Sequence, residues 1–194
     1  MASGVKFRAY PNKEQSAALN CWIGWQRFVY NSKVEEGCYF RTFRNHALAL
    51  TGVRTPVEQQ YSQFKDAELT PWLFEVPSQI LRNGAYRFKQ AYARFFKVLS
   101  QRPSRKKRHG KQAVLLTKEL FQFIPTGDTA KGDEGLVQAQ KLKIGTDKSM
   151  IGELKFTAHR HYELPKSICI SWNNGQWHVS FNYSDAELVE MRYR

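Results

Sequence analysis

The sequence predicts an α+β protein in which a basic, helical first part precedes a strand-rich second part. Apolar residues recur at steps of four and three between residues 77 and 100, which is the spacing of one helix face. After residue 112 they form short runs of β-type residues instead. The charge divides at the same place: residues 1–112 carry 20 Lys and Arg against 7 Asp and Glu, and residues 113–194 carry 10 of each.

The chain begins with a pattern typical of a short strand followed by a helix. Val5 and Phe7 alternate with Lys6 and Arg8, which predicts a strand with one buried and one basic face. Asn12 and Gln15 form a capping box for the first helix. Its inner face is predicted to contain Ala18, Trp22, Trp25 and Val29.

Within this helix, the stretch GWQRFVYN places Arg27, Tyr30 and Asn31 within two turns. Most of its aromatic residues are expected in the core. Residues 37–52 follow a looser helical pattern. Thr55 and Glu58 then form a capping box around Pro56, which predicts a helix over residues 57–65. The next apolar residues, at positions 72–74, are expected to form a plug before the main helix.

The main helix is predicted over residues 77–100, and a basic loop over residues 102–111 follows it directly. Ser78 or Pro77 can begin the helix. Its buried stripe is predicted to be Leu81, Ala85, Phe88, Tyr92, Phe95 and Leu99. The cations off that stripe are Arg82, Arg87, Lys89, Arg94 and Lys97. The exposed side of this helix is therefore expected to be cationic.

The basic loop contains six Lys and Arg in ten residues, and Pro103 and Gly110 oppose helix formation there. These cations are Arg102, Arg105, Lys106, Lys107, Arg108 and Lys111. A solvated loop or a sorting signal is the alternative to a nucleic-acid contact. The aromatic residues and cations that precede the loop on a rigid helix favour contact with a nucleic-acid backbone.

The second part is predicted to contain six strands: AVLLT, LFQFI, KLKI, ELKFT, SICISW and QWHVSFNY. Residues 126–135 read as a polar loop between strands, without the spacing of a calcium site. The sharpest local prediction is the last hairpin, because Asn174 and Gly175 favour a type I′ turn. That turn pairs Trp172 with Trp177, Ile170 with Val179, Ile168 with Phe181, Ser171 with His178 and Cys169 with Ser180.

Other sites and settings receive weaker support from the residues. Cys21, Cys38 and Cys169 form no CxxC pair, which favours a reducing, cytoplasmic setting, and no membrane partner is expected. His159 and His161 lie two apart, but surface or RNA-contacting histidines are favoured over a metal pair. His178 beside Ser171 is expected to be an ordinary β-sheet pair rather than a catalytic one, because no carboxylate is visible to orient it.

Several ordered motifs together resemble the front half of the TnpB family, the OrfB-type proteins of bacterial insertion sequences. The motifs are FRAYPNKEQ, GWQRFVYN, ELTPWLFEVPSQIL, AYARFF, PSRKKRHGK and LPKSICISWNNGQWHVSFNY, and the resemblance covers about residues 5–183. The resemblance implies a small antiparallel, wedge-like β-barrel into which a helical recognition domain is inserted. Its domains would be residues 1–10, 11–112 and 113–183, with a tail at 184–194.

The resemblance also implies that guide RNA and double-stranded target DNA are partners, with the DNA bound beside a short adjacent motif. Ser78, Gln79 and Arg82 would approach that motif, and a helix N-terminus with such side chains can contact phosphates and base edges. Tyr10, Arg27 and Asn31 are further candidates, although they could instead hold the first helix to the barrel.

The family cleaves DNA with three carboxylates that hold two metal ions, the first in a GxDxG-type strand directly after the hairpin. Only SDAELVEMRYR follows Tyr183 here, and Asp185, Glu187 and Glu190 are expected to belong to a solvated tail. The paired CxxC units of the family's zinc ribbon do not occur in this sequence. We therefore expect these 194 residues to bind nucleic acid without cleaving it, and to need neither the magnesium nor the zinc of full-length relatives.

Two other functions remain open from the sequence. The chain could be a stand-alone DNA-binding regulator of the helix-turn-helix type, or the front piece of a split nuclease. A separate polypeptide would then carry the acids, and the hairpin face with Trp172 and Trp177 could dock it.

Overall fold

The structure is a computed structural model, and it describes residues 4–39, 60–124, 138–147, 149–159, 162 and 164–183. Within these described residues, two α-helices and seven β-strands form the regular elements, in agreement with the predicted α+β class. The helices are α1, Lys13–Tyr39, and α2, Ser78–Phe96. The strands are β1 Gly4–Tyr10, β2 Gln112–Thr117, β3 Phe121–Ile124, β4 Gln138–Thr146, β5 Ser149–Ala158, β6 Ser167–Asn173 and β7 Gln176–Asn182.

The seven strands form one antiparallel sheet in the order β2-β6-β7-β1-β5-β4-β3. A flat sheet of this size would place β2 and β3 about 28 Å apart. The 3₁₀ turn Lys118–Leu120 is the whole connection between these two strands, and so short a segment reaches about 14 Å at most. The sheet must therefore curl, and it forms a half-barrel.

Aromatic rings fill the concave side of the sheet. The Phe7 ring lies 5.7 Å from Phe156 and 5.2 Å from Phe181, measured between ring centroids. Phe123 adds an edge contact to Phe181 at 5.6 Å, and Tyr162 lies 5.0 Å from the same ring. Burial raises the pKa of the Tyr162 hydroxyl, which agrees with its place beside this core.

The predicted hairpin is confirmed in every pair. Trp172 lies opposite Trp177, and the pairing continues in the predicted register to Phe181. Asn174 and Gly175 have φ values of 50° and 75°, the left-handed pair that a type I′ turn requires. The two tryptophans differ in exposure, however: Trp177 is buried, whereas Trp172 is 39% exposed. Core packing therefore accounts for only one of the two rings.

The capping box predicted for α1 is also confirmed. The Gln15 backbone N–H donates to Asn12 Oδ1 at 2.8 Å, and the Asn12 N–H donates to Gln15 Oε1 at 3.0 Å. Gln15 Nε2 also donates to the Glu153 carbonyl of β5 at 2.9 Å, which ties the start of the helix to the sheet. The predicted inner face is partly wrong. Trp22 and Val29 are buried, but Ala18 and Trp25 are only half-buried.

Helix α2 ends earlier than predicted, at Phe96 instead of residue 100. Val98 takes a left-handed φ of 57°, and the Leu99 N–H donates back to the Arg94 carbonyl at 3.0 Å. This is the Schellman arrangement that closes helices. Leu99 therefore leaves the buried stripe and is 66% exposed, whereas Leu81, Ala85, Phe88 and Tyr92 are buried as predicted.

The helix predicted over residues 57–65 is wrong where it can be compared. Residues 60 and 61 are not helical, and a single 3₁₀ turn covers Ser62–Phe64. Positions 57–59, the predicted helical continuation at 40–52, the loop at 126–135 and the tail after Tyr183 lie outside the described residues. A second 3₁₀ turn, Pro71–Phe74, buries Leu73 but leaves Phe74 58% exposed, so the predicted plug is only partly buried.

The chain divides into two compact units. The first, here called the strand unit, contains Met1–Ile23 and Lys111–Arg194. The second, here called the helical unit, contains Gly24–Gly110. Helix α1 contributes its first part to the strand unit and its remainder to the helical unit. The wedge-like identity of the strand unit and the insertion of a recognition domain remain predictions.

Candidate nucleic-acid interface

In the helical unit, α2 packs closely on α1 through a glycine. A Cβ built on Gly84 would lie 2.8 Å from the Gln26 carbonyl oxygen and 3.1 Å from Val29 Cβ. Next to this crossing, Phe88 contacts Tyr30 and Tyr92, with ring centroids 6.1 Å and 5.0 Å away. The rest of α2 is therefore held in a fixed rotation about its axis.

This rotation exposes most of the predicted cations of α2. Arg82, Lys89, Arg94 and Lys97 are all exposed. At 100° per residue, Lys89 lies within about 20° of Arg82 around the helix, and Arg94 about 120° away. The cations therefore cover a broad face rather than a single line, which suits a partner that passes over the helix instead of lying along it.

Arg87 has a different role from its neighbours. It is half-buried, and its Nη1 donates to Gln26 Oε1 of α1 at 3.1 Å. The Gln26 amide in turn donates to the Ile80 carbonyl in the first turn of α2 at 3.4 Å. Burial raises the pKa of the Tyr30 hydroxyl, and the nearby Arg87 charge lowers it in part. Arg87 thus braces the two helices.

The first two turns of α2 carry the three predicted DNA readers. Ser78 and Arg82 are exposed, and Gln79 is half-buried. Ser78 Oγ donates to Gln79 Oε1 at 3.4 Å, and no side chain caps the helix, whose N-cap residue is Pro77. The Ser78 and Gln79 side chains therefore lie together at an uncapped helix N-terminus, where backbone N–H groups favour an anion.

The basic loop, residues 102–111, contacts the two helices through Arg102, Arg105 and Lys106. Arg102 Nη2 lies 3.4 Å from the Tyr92 hydroxyl, and its guanidinium lies 5.9 Å from the centre of the Phe95 ring. Asn31 bonds to the backbone of Lys106, as detailed below. Arg105 forms an ion pair with Glu35 at 2.9 Å. All six cations of the loop are nevertheless exposed.

The structure separates the three remaining candidates. Tyr10 lies in the strand unit, where it is 50% exposed and its ring centre lies 5.5 Å from the Arg8 guanidinium carbon. Arg27 and Asn31 lie in the helical unit and are half-buried. The Asn31 amide bonds to the backbone of the basic loop. Its two predicted roles, in DNA binding or in holding α1 to the barrel, both stay predictions.

The structure contains a second cationic surface, here called the sheet face, of which the sequence predicted only the basic face of β1. Burial alternates along the strands, so that one side of the sheet is apolar and the other is polar. The polar side carries Lys6, Arg8, Lys141, Lys143 and Lys155. The even balance of charges after residue 112 concealed this surface, because an overall count says nothing about which face of a strand a lysine occupies.

Two lysines of the sheet face lie directly opposite each other. Lys141 of β4 pairs with Lys155 of β5, and Lys155 pairs with Tyr10 on its other side. Like charges in directly opposed positions destabilise a sheet. Glu153 relieves part of this repulsion through an ion pair with Lys141 at 3.0 Å. A polyanion bound across these strands would relieve the remainder.

His178 lies at the edge of this face, opposite both Ser171 and Arg8 in the strand register. Burial lowers the pKa of its imidazole, and the nearby Lys6 and Arg8 charges lower it further. Its Nδ1 is buried without a hydrogen-bond partner in the described structure. His159 contacts the Phe7 ring edge-on at 5.3 Å, and His161 lies outside the described residues.

The described residues contain neither a candidate metal site nor a candidate membrane span. No group of three or more His, Cys, Asp or Glu side chains is close enough there to hold a metal ion. Neither described helix is both long and apolar enough to cross a bilayer.

Comparison with known proteins gives a match at the start of the chain. Residues 1–36 match the family model of the OrfB/IS605 helix-turn-helix domain. No curated protein matches the chain. The match supports an N-terminus of the OrfB type found in the TnpB family, and it suggests DNA binding and an association with transposons.

The structure of the matched segment differs from the helix-turn-helix description of its family model. Within residues 4–36 the chain forms strand β1 and then one continuous helix, α1. A helix-turn-helix motif requires two helices at a steep angle. A contact between residues 4–36 and DNA would therefore not use a pair of helices.

Proposed function

We propose that this chain is the nucleic-acid-binding part of a TnpB-like, transposon-encoded, RNA-guided protein that binds guide RNA and target DNA without cleaving the DNA. One observation carries the proposal: the helical unit displays exposed cations of α2 and of the basic loop on a frame built from the family-matched helix α1. Cations fixed on a rigid frame bind phosphates through release of counterions, with little conformational entropy lost on binding.

The DNA contact is assigned to the first turn of α2. Ser78 and Gln79 lie at an uncapped helix N-terminus, and Arg82 is exposed one turn later. Hydroxyl, amide and guanidinium groups can each read a base edge, and the helix N-terminus favours a phosphate beside them. This turn is therefore the proposed reader of the short motif that adjoins the target.

The RNA contact is assigned to the sheet face of the strand unit. Its opposed lysines, Lys141 and Lys155, favour a polyanionic partner. Exposed Tyr10 beside Lys155 offers a ring on which an unpaired base can stack. The strand unit thus supplies a second surface for a second nucleic acid.

The proposal that the chain does not cleave DNA rests on its sequence. The residues after Tyr183, SDAELVEMRYR, contain no GxDxG motif, and their acids, Asp185, Glu187 and Glu190, lie outside the described residues. Cleavage would require carboxylates and metal ions from outside this sequence.

The decisive experiment is the sequencing of RNA that co-purifies with the chain, followed by duplex-DNA binding with and without that RNA. The proposal predicts a discrete RNA species, and weak, salt-sensitive and unselective DNA binding until the RNA is added. A stand-alone regulator would bind a specific duplex with no RNA present, and that result would refute the proposal. Magnesium-dependent cutting that Asp185→Asn abolishes would refute the claim that the chain does not cleave.

A matched pair of variants assigns the reader. Gln79→Ala should reduce selectivity for the adjacent motif, because the lost amide is a base-edge group. Gln90→Ala is the control, since Gln90 is an exposed glutamine on the same helix, three turns further on. Equal losses of selectivity in both variants would remove the first turn of α2 from motif reading. A native mass that exceeds one chain plus RNA would instead favour the split nuclease.

A further inference from the structure

Asn31 makes a two-point contact with one residue of the basic loop. Its Oδ1 accepts the Lys106 backbone N–H at 2.8 Å, and its Nδ2 donates to the Lys106 carbonyl at 3.0 Å. An amide side chain that satisfies both backbone groups of a residue fixes its orientation as a neighbouring β-strand would. Lys106 lies in the middle of residues 102–111, so this contact fixes the centre of the loop to a helix residue 75 positions earlier in the sequence.

Tyr30 holds the side chain of the same loop residue. Lys106 Nζ lies 3.8 Å from the centre of the Tyr30 ring, well inside cation–π range. The ring is only 5% exposed and packs against Phe88, so its position is set by the core of the helical unit. The Lys106 ammonium is therefore engaged with the protein, and it anchors the loop in addition to any contact it makes outside.

Glu35 forms an ion pair with a different cation of the loop, Arg105. The carboxylate lies 2.9 Å from Arg105 Nη1, but the two side chains are 57% and 68% exposed. Such a solvated pair is weak, because water and salt screen it. A phosphate offers the arginine fork the same bidentate geometry as a carboxylate. Glu35 is therefore an anion that a nucleic-acid phosphate can replace.

We propose that Tyr30 and Asn31 are positioning residues that hold the basic loop in a preformed phosphate-binding conformation, and that Glu35 competes with nucleic-acid phosphate for Arg105. This inference rests on the proposed function only in taking nucleic acid as the ligand of the loop. It gives two members of the GWQRFVYN stretch a role in presenting the cations that follow α2.

The first test measures the loop without any ligand. Trypsin cuts after Arg105, Lys106, Lys107 and Arg108, and mass spectrometry can time each cut. Asn31→Ala should speed cleavage there by about tenfold relative to wild type, because the two lost hydrogen bonds release the loop. Asn20→Ala, an exposed asparagine of the same helix, is the control and should leave the rate unchanged. Equal cleavage of both variants would overturn the inference.

The second test measures the affinity for a fluorescein-labelled single-stranded oligodeoxynucleotide. Asn31→Ala should weaken binding by about fivefold to tenfold, because the released loop must be ordered on binding. Asn20→Ala should bind as wild type does. Faster loop cleavage with unchanged affinity would overturn the positioning role while leaving the proposed function intact. No binding by wild type would instead refute the proposed function.

The third test asks whether removing the Glu35 charge strengthens oligonucleotide binding, which is the opposite of the effect expected for Asn31→Ala. Glu35→Gln should strengthen oligonucleotide binding more than Glu14→Gln, which removes the same charge about 31 Å away along α1. The excess, expected to be about threefold at low salt, measures the competition at Arg105. A weaker Glu35→Gln complex would show that the ion pair supports the loop instead, and this would overturn the proposed competition. An effect equal to that of Glu14→Gln would overturn it as well.

Discussion

Gly84→Ala tests the helix crossing on which the cationic surface of the helical unit depends. In the middle of a helix, alanine is favoured over glycine by about 1 kcal/mol. At this position, however, the new Cβ would lie 2.8 Å from the Gln26 carbonyl oxygen and 3.1 Å from Val29 Cβ. Both atoms belong to a packed helix and cannot move separately, so the helices must separate by a few tenths of an ångström.

The magnitude follows from the balance of these two effects. Overpacking of a core typically costs about 1–3 kcal/mol, which exceeds the gain in helix propensity. Gly84→Ala should therefore lower the free energy of unfolding by about 1 kcal/mol. Urea denaturation followed by far-UV circular dichroism measures this change.

Gly24→Ala is the matched control for this prediction. Gly24 also lies in a helix of the helical unit, but the nearest atom to its added Cβ would be Arg27 Nη2 at 4.0 Å. With space available, only the propensity term remains, and Gly24→Ala should stabilise the protein by up to about 1 kcal/mol. If both variants were stabilised equally, the close crossing of α1 and α2 would be refuted.

Three further predictions concern backbone strain and pH. Val98→Gly should stabilise the protein by about 1 kcal/mol, because Val98 is exposed and adopts a left-handed φ of 57°. Leu99→Gly is the control and should not stabilise the protein, because Leu99 has a normal φ. A lower free energy of unfolding in both variants would contradict backbone strain at Val98. Gly175→Ala should lower the unfolding free energy by about 1 kcal/mol through its φ of 75° alone, since a Cβ there would meet no atom within 4 Å, and an unchanged urea midpoint would refute this. The folded-state pKa of His178 is lowered, so protonation favours the unfolded chain: its contribution to stability is complete above the ordinary pKa near 6.5 and is lost as the pH falls through the folded value. His178→Gln should remove this pH dependence. Lys6→Gln should raise the pKa of the His178 imidazole in an NMR titration. An unchanged His178 pKa in the Lys6→Gln variant would show that the Lys6 charge does not lower it.

The strands were predictable because their signals are local. The type I′ turn at Asn174 and Gly175 fixes the register of β6 and β7, and alternation at Val5 and Phe7 fixes the buried face of β1. The capping box of Asn12 and Gln15 is likewise contained within four residues. Each of these features needs no knowledge of a distant partner.

The end of α2 was not predictable from the same kind of signal. Leu99 continues the apolar spacing, but Val98 adopts the left-handed conformation that usually marks a glycine. A β-branched residue at this position gives no sequence warning of a helix end. Periodicity therefore extended the helix through a residue that in fact closes it.

The functional surfaces depended on contacts that the sequence does not encode locally. Asn31 and Lys106 meet across 75 positions, so the sequence could flag the asparagine without showing what it binds. The sheet face arises from the topology, because β1 pairs with β5 across most of the chain length and brings Tyr10 beside Lys155. The cations of α2, in contrast, were predictable from helical spacing alone.

The salt dependence of nucleic-acid affinity tests the central claim most directly. A variant with Arg105, Lys107 and Arg108 all changed to glutamine should be compared with wild type on the same oligonucleotide. If the basic loop binds phosphates, the slope of the logarithm of the binding constant against the logarithm of the salt concentration should be shallower for this variant by about two to three units. An unchanged slope would show that these cations do not contact the nucleic acid, and it would contradict the account.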